Sequence, residues 1–134
     1  CQKHASVMNW LKHLPYYYEN DHQIFVHAGI EVIDYQPELW KQVSTVNTYL
    51  MKYPASQGQF YKKVIAGHIG THQVSGQSDF HQICCLGDFI YLDSSVITTQ
   101  FLNVLQYDCQ TCRYQGLIKK NRQWQTYDIA HFNK

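Results

Sequence analysis

The stretch Lys63–Val74, KVIAGHIGTHQV, constrains the fold of this chain more than any other. Its apolar run, Val64-Ile65-Ala66, stops at Gly67-His68, and Gly70, Thr71 and His72 follow directly. A short β-prone run that ends at glycine reads as a buried strand handing over to a loop. His68 is then placed where a strand tip meets a crevice, the usual position for chemistry in an open α/β sheet. The same pattern occurs upstream, where Ile24-Phe25-Val26 runs into His27-Ala28-Gly29-Ile30. Two strand tips that each deliver an imidazole to one sheet edge define a candidate metal site, because neutral imidazole is the commonest metal ligand. The two strands are expected to end level, with the ring nitrogens within about 7 Å. Each ring should offer its other nitrogen to a carbonyl or carboxylate. His72, on an irregular loop, is expected to point elsewhere.

The rest of the chain is arranged around these tips. Val7, Trp10, Leu11 and Leu14 recur at helical spacing, so residues 3–14 are expected to form an amphipathic helix, stopped by Pro15 and packed on one sheet face. Tyr16-Tyr17-Tyr18, the turn at Asn20-Asp21 and Gln23–Val26 read as a hairpin whose second strand ends at His27. Pro37-Glu38-Leu39-Trp40 is a helical start, and Val43–Tyr53 is left open between helix and irregular structure. Gln82–Leu86 and Phe89–Leu92 flank a Gly87-Asp88 turn, a hairpin signal. Phe101–Tyr107 pairs with Tyr114–Ile118 across Asp108–Cys112, and Arg122–Tyr127 adds an edge strand. The expected fold class is α+β, a mixed or mainly antiparallel sheet of about five or six strands with an N-terminal helix, residues 1–134 forming a single domain.

Composition narrows the function classes. With 11 Lys+Arg against 10 Asp+Glu, the net charge of +1 makes no basic field for nucleic acid or a membrane surface. Arg113 and Arg122 are the two arginines, which weakens any bidentate reading of a phosphate backbone. No apolar run approaches the roughly 20 residues of a membrane-spanning helix. Five cysteines, an odd number, in a chain able to build its own core favour a reducing, cytoplasmic setting.

The order FVHAG, then Leu39-Trp40, then VIAGH followed two residues later by Thr71, then YLDSS and NVL, carries a family resemblance. Over roughly residues 10 to 108 it resembles the C-terminal half of the calcineurin-like metallophosphoesterases. The branch it is most similar to is that of the bacterial phosphoprotein phosphatases and symmetric diadenosine-tetraphosphate hydrolases. The resemblance implies half of a two-sheet sandwich, with His27 and His68 each ligating metal. It further implies two divalent transition-metal ions (Mn, Fe or Zn) and a phosphoester substrate, either phosphoprotein or nucleotide. The family's three N-terminal motifs, which supply the other ligands and the general acid, are absent here, so the catalytic residues stay unknown. Where the family carries an arginine after the tryptophan, this chain has Lys41, a weaker candidate for pairing a substrate phosphate.

The chain opens on Cys1 rather than methionine and is read as the C-terminal part of a longer enzyme, itself inactive. It would show a bare apolar sheet face or form a homodimer through it. The alternative is a non-catalytic binding module whose histidines are structural. Cys109-Gln110-Thr111-Cys112 has the spacing of half a zinc knuckle but lacks a second pair, so two free thiols at a hairpin turn is the default reading. His4, His13, His22, His81 and His131 are expected at the surface.

Overall fold

The computed structural model describes residues 4–132. The core is a six-stranded mixed sheet in the order β1-β2-β3-β5-β4-β9. Three of its strands, β2 (Gln23–Val26), β3 (Lys63–Ala66) and β5 (Phe89–Tyr91), run parallel as direct neighbours. They are the short apolar runs that end at histidine, glycine or aspartate in the sequence. Parallel strands in the middle of a sheet are covered on both faces, which is why Val64-Ile65-Ala66 and Phe89-Ile90-Tyr91 are apolar and buried, whereas Phe25 on β2, nearer the edge, is exposed. β1 (Tyr17–Glu19) closes one edge antiparallel to β2. On the other side β4 (Cys84–Leu86) pairs antiparallel with β5 and parallel with β9 (Ala130–His131), a strand with no signal of its own in the sequence.

The two faces carry separate cores. One gathers Ile24, Val64, Ala66, Cys84, Leu86, Phe89 and Tyr91 under Trp40 and Tyr49, delivered by α2 (Trp40–Val43) and α3 (Val46–Met51). The segment left open between helix and loop therefore forms two short helices. Thr45 starts the second through a reciprocal capping box with Thr48, which satisfies amide donors left over at its first turn. The opposite face buries Ile65, Ile83, Cys85 and Ile90 against Leu105, Tyr114 and Tyr127. Cys84 and Cys85, adjacent in one strand, thus serve opposite faces.

Leu105, Tyr114 and Tyr127 belong to a second, three-stranded antiparallel sheet of β6 (Leu102–Asp108), β7 (Arg113–Lys120) and β8 (Gln123–Tyr127). The expected hairpin and edge strand are all present, but as a sheet of their own. Within it, β7 and β8 meet where Gly116 pairs with Tyr127: the missing side chain leaves room for the Tyr127 ring, and a Cβ there would sit 2.4 Å from ring carbons. The Tyr127 hydroxyl in turn accepts the Ile83 amide at 2.8 Å, tying the small sheet to the large one.

The N-terminal helix departs from expectation. Observed as α1 (Ala5–Lys12), it buries no residue, and Val7 and Trp10 are 52% and 62% exposed. Its periodicity is right, but no element among the described residues lies against its apolar stripe. The expected first residue, Lys3, and the opening Cys1 lie outside the described residues. Among the described residues, no helix is long and apolar enough to cross a membrane.

Candidate metal-binding edge

Val26 pairs with Ala66, and Ala66 with Tyr91, so β2, β3 and β5 finish level. The chain leaves their carboxyl ends as His27, Gly67-His68 and Leu92-Asp93. Backbone bonds lock these exits together: the Gly67 amide donates to the His27 carbonyl at 2.9 Å and the Leu92 amide to the Ala66 carbonyl at 2.9 Å. The Ala28 amide also donates to the Tyr49 carbonyl at 2.8 Å, so the Trp40–Tyr49 layer fixes the exit of β2.

The imidazoles of His27 and His68 meet with ring centroids 4.9 Å apart and planes at 60°. That spacing can be compared with what a shared ion requires. A metal about 2.0–2.1 Å from nitrogen lies about 3.2 Å from the ring centre. Two rings on one ion are then about 5.2 Å apart at a tetrahedral angle and about 4.5 Å apart at a right angle. The observed pair falls between these limits. Strand spacing alone is about 4.8 Å, so direct neighbours ending level account for it.

His68 also carries a backbone signature. It lies at φ +63°, and the Ile69 amide closes a three-residue turn onto the Gly67 carbonyl at 2.7 Å. Non-glycine residues avoid this region, and such strain collects at functional positions. Replacing His68 by glycine should therefore stabilise the fold by up to about 1 kcal/mol, as measured by chemical unfolding, while removing the ring. A loss of more than about 1 kcal/mol instead would mark the imidazole as a structural group.

The surroundings differ from expectation in two respects. Neither ring finds the carbonyl or carboxylate partner that was anticipated. His27 is exposed and His68 half-buried, so both project from the sheet edge into solvent. His81, expected at the surface, is part-buried: its ring stands 6.2 Å from that of His72, and the Nδ1 atoms of both are buried without a partner. The cause is packing of the loop after α4 (Thr71–Ser75) against the small sheet, where Asn103 donates to the His81 carbonyl at 2.7 Å. At 6.2 Å this second pair is too wide for one tetrahedral ion; a water shared between the two nitrogens suits it better. His72 thus turns away from His68, as anticipated.

Asp93 follows the third level strand end. Its Oδ1 accepts the Ser95 amide at 2.7 Å and so serves its own turn. Lys41 forms an ion pair with Glu19, a residue that also binds Lys62 at 2.8 Å. Burial opposes ionisation of Glu19, yet the two ammonium groups hold its carboxyl below the usual range. The bond to Glu19 raises the Lys41 ammonium correspondingly. Glu19 pairs with Ile24, at the start of β2, so Lys41 is engaged three residues back along the strand from His27.

Two imidazoles fit two positions around a single ion. Among the described residues, no group of three or more His, Cys, Asp or Glu converges that could hold a metal ion, at this edge or elsewhere. Comparison with protein-family models, curated proteins and solved structures finds no match for the chain.

Proposed function

We propose that this chain is the C-terminal half of a dinuclear-metal phosphoesterase of the calcineurin-like kind, acting on phosphoprotein or nucleotide phosphoesters in the cytoplasm. The observation that carries the reading is the 4.9 Å approach of His27 and His68 at the level ends of adjacent parallel strands. Strand spacing by itself brings two level strand-end side chains this close, so the reading draws on the motifs that put a histidine at both tips together with the strand order that makes them neighbours. The odd count of five cysteines is what favours a reducing compartment.

In this reading His27 and His68 hold one ion through neutral nitrogens. The segment that would precede this half supplies the carboxylates and the general acid. A pair of Mn, Fe or Zn ions contributes Lewis-acid activation of water and neutralises charge on the phosphoryl oxygens. The chain's own part is to bind, orient and pre-organise. The Gly67–His27 backbone bond and the strained turn at His68 set the two rings before any ion arrives. Lys41 could pair a substrate phosphate only if its bond to Glu19 opened.

Both faces of the large sheet are covered, so the bare apolar face expected of an isolated half is not found on the sheet. The exposed apolar stripe is instead that of α1, which leaves room for a missing half or a second copy there. It also favours the alternative, a non-catalytic interaction module. Activity separates them. The 134 residues alone should hydrolyse p-nitrophenyl phosphate with Mn²⁺ no faster than buffer, whereas the full-length protein should turn it over and lose that activity on chelation. A full-length protein inert with every one of these metals would favour the module.

A further inference from the structure

The tip of the β6–β7 hairpin has a chemistry that the strand-end site does not use. Asp108 and Arg113 are the last paired residues, and Cys109-Gln110-Thr111-Cys112 forms the turn between them. Both cysteines are exposed, although cysteine is among the most buried residue types. Cys112 lies at φ +54°, where glycine or asparagine would be unstrained. Neither placement is explained by packing or by backbone preference.

The turn itself is held by another residue. Asp108 Oδ1 accepts the amides of Gln110 at 2.8 Å and Thr111 at 3.3 Å, and Oδ2 accepts the Thr111 hydroxyl at 2.8 Å. These three bonds hold the Asp108 carboxyl below its usual range and leave the thiols no role in shaping the loop.

We propose that Cys109 and Cys112 are ligands for Zn²⁺, and that the site is completed to four sulfurs by the same hairpin tip of a second copy of the chain. Tetrahedral zinc at about 2.3 Å from sulfur needs two sulfurs about 3.8 Å apart. Residues flanking a β-pair whose Cα atoms are about 4.5–5.5 Å apart can reach that spacing without moving the backbone. Two thiolates leave zinc half-coordinated. Asp108 is committed to the turn, and among the described residues no third ligand group joins the pair. A second hairpin tip brings the missing two sulfurs in the same geometry. Each chain releases two thiol protons to the buffer as the metal binds, so no oxidant or reductant is required.

Cobalt titration of the whole chain under a phosphine reductant tests this, because sulfur-to-cobalt charge-transfer absorption reports thiolate ligands and not imidazoles. The expected result is a thiolate, tetrahedral spectrum that saturates at one metal per two chains. Molecular mass should double on Zn²⁺ addition and return with a chelator. Cys109→Ser/Cys112→Ser should abolish both responses with an unchanged circular dichroism spectrum, and Cys1→Ser should leave both intact. Absence of a thiolate spectrum overturns the proposal. So does its survival in the double variant, its loss in Cys1→Ser, or one metal per chain without a rise in mass.

Discussion

On the proposed function, changing His68 to alanine in the full-length protein should lower metal-dependent turnover of p-nitrophenyl phosphate by more than about a hundredfold. Loss of groups that merely orient a metal ligand already costs about 10–100-fold, and His68 would be a ligand itself. His27→Ala should do the same, because the rings stand 4.9 Å apart and would share one ion. The double variant should then be little worse than either single one, since an ion already lost cannot be lost again. Steady-state kinetics at fixed Mn²⁺, with metal content measured alongside, gives the comparison. Two mild effects that simply multiply would mean that the rings act separately, and the shared-ion reading would fail. His68→Gly adds a control, because it removes the ring while relieving the backbone at φ +63°.

Trp40→Ala should destabilise the chain by about 3–5 kcal/mol, a large share of the stability expected for a domain of this size. Trp40 is fully buried and is the largest side chain in the core. Its ring meets Tyr17 edge-on at 4.9 Å and Tyr49 at 6.5 Å, and its Nε1–H donates to the Tyr61 hydroxyl at 2.9 Å. Truncation would empty this space and leave the Tyr61 hydroxyl without its donor. Trp40→Phe should cost less, because most of the apolar contact survives and chiefly the hydrogen bond is lost, worth about 1 kcal/mol. Urea unfolding followed by circular dichroism reads both. The functional consequence follows from Tyr49, whose carbonyl accepts the Ala28 amide: loosening this layer should also loosen the exit of β2 at His27. A loss below about 1 kcal/mol for Trp40→Ala would show that the aromatic layer does not support the sheet.

Much of the strand-end edge was legible in the sequence because it depends on local chemistry. Val64-Ile65-Ala66 and Ile24-Phe25-Val26 are too apolar and too short for anything but buried strands. Gly67 before His68 and Gly29 two residues after His27 marked where the chain leaves the strands. The hairpin at Gly87-Asp88 was legible for the same reason: Gly87 adopts φ +70°, and a side chain there would strike the Gly58 carbonyl. The helical start at Pro37-Glu38-Leu39-Trp40 was legible because proline suits a first helical turn, and the structure has a 3-10 turn over Pro37–Leu39 leading into the helix at Trp40.

Other features depend on what lies across space. The stripe Val7, Trp10, Leu11, Leu14 specifies a helix with an apolar side, and periodicity cannot say whether a partner exists to cover it. His81 looked like one polar residue among many in a loop; only the approach of β6, through Asn103, draws it inward beside His72. The small sheet is tied to the large one by the Tyr127 hydroxyl and the Ile83 amide, residues 44 positions apart that no local pattern links. The strained backbone of His68 is likewise invisible in KVIAGHIGTHQV. By itself the sequence determined which segments are strands, where they stop and which imidazoles stand at their tips, because φ/ψ preference, side-chain period and apolar runs act over a few residues. The tertiary structure alone decided that β2 and β3 are direct neighbours in level register, that their rings meet at 4.9 Å, and that Lys41 turns to Glu19. Those outcomes arise from strand order and ion pairing between distant segments, where many arrangements satisfy the same local pattern and packing selects one.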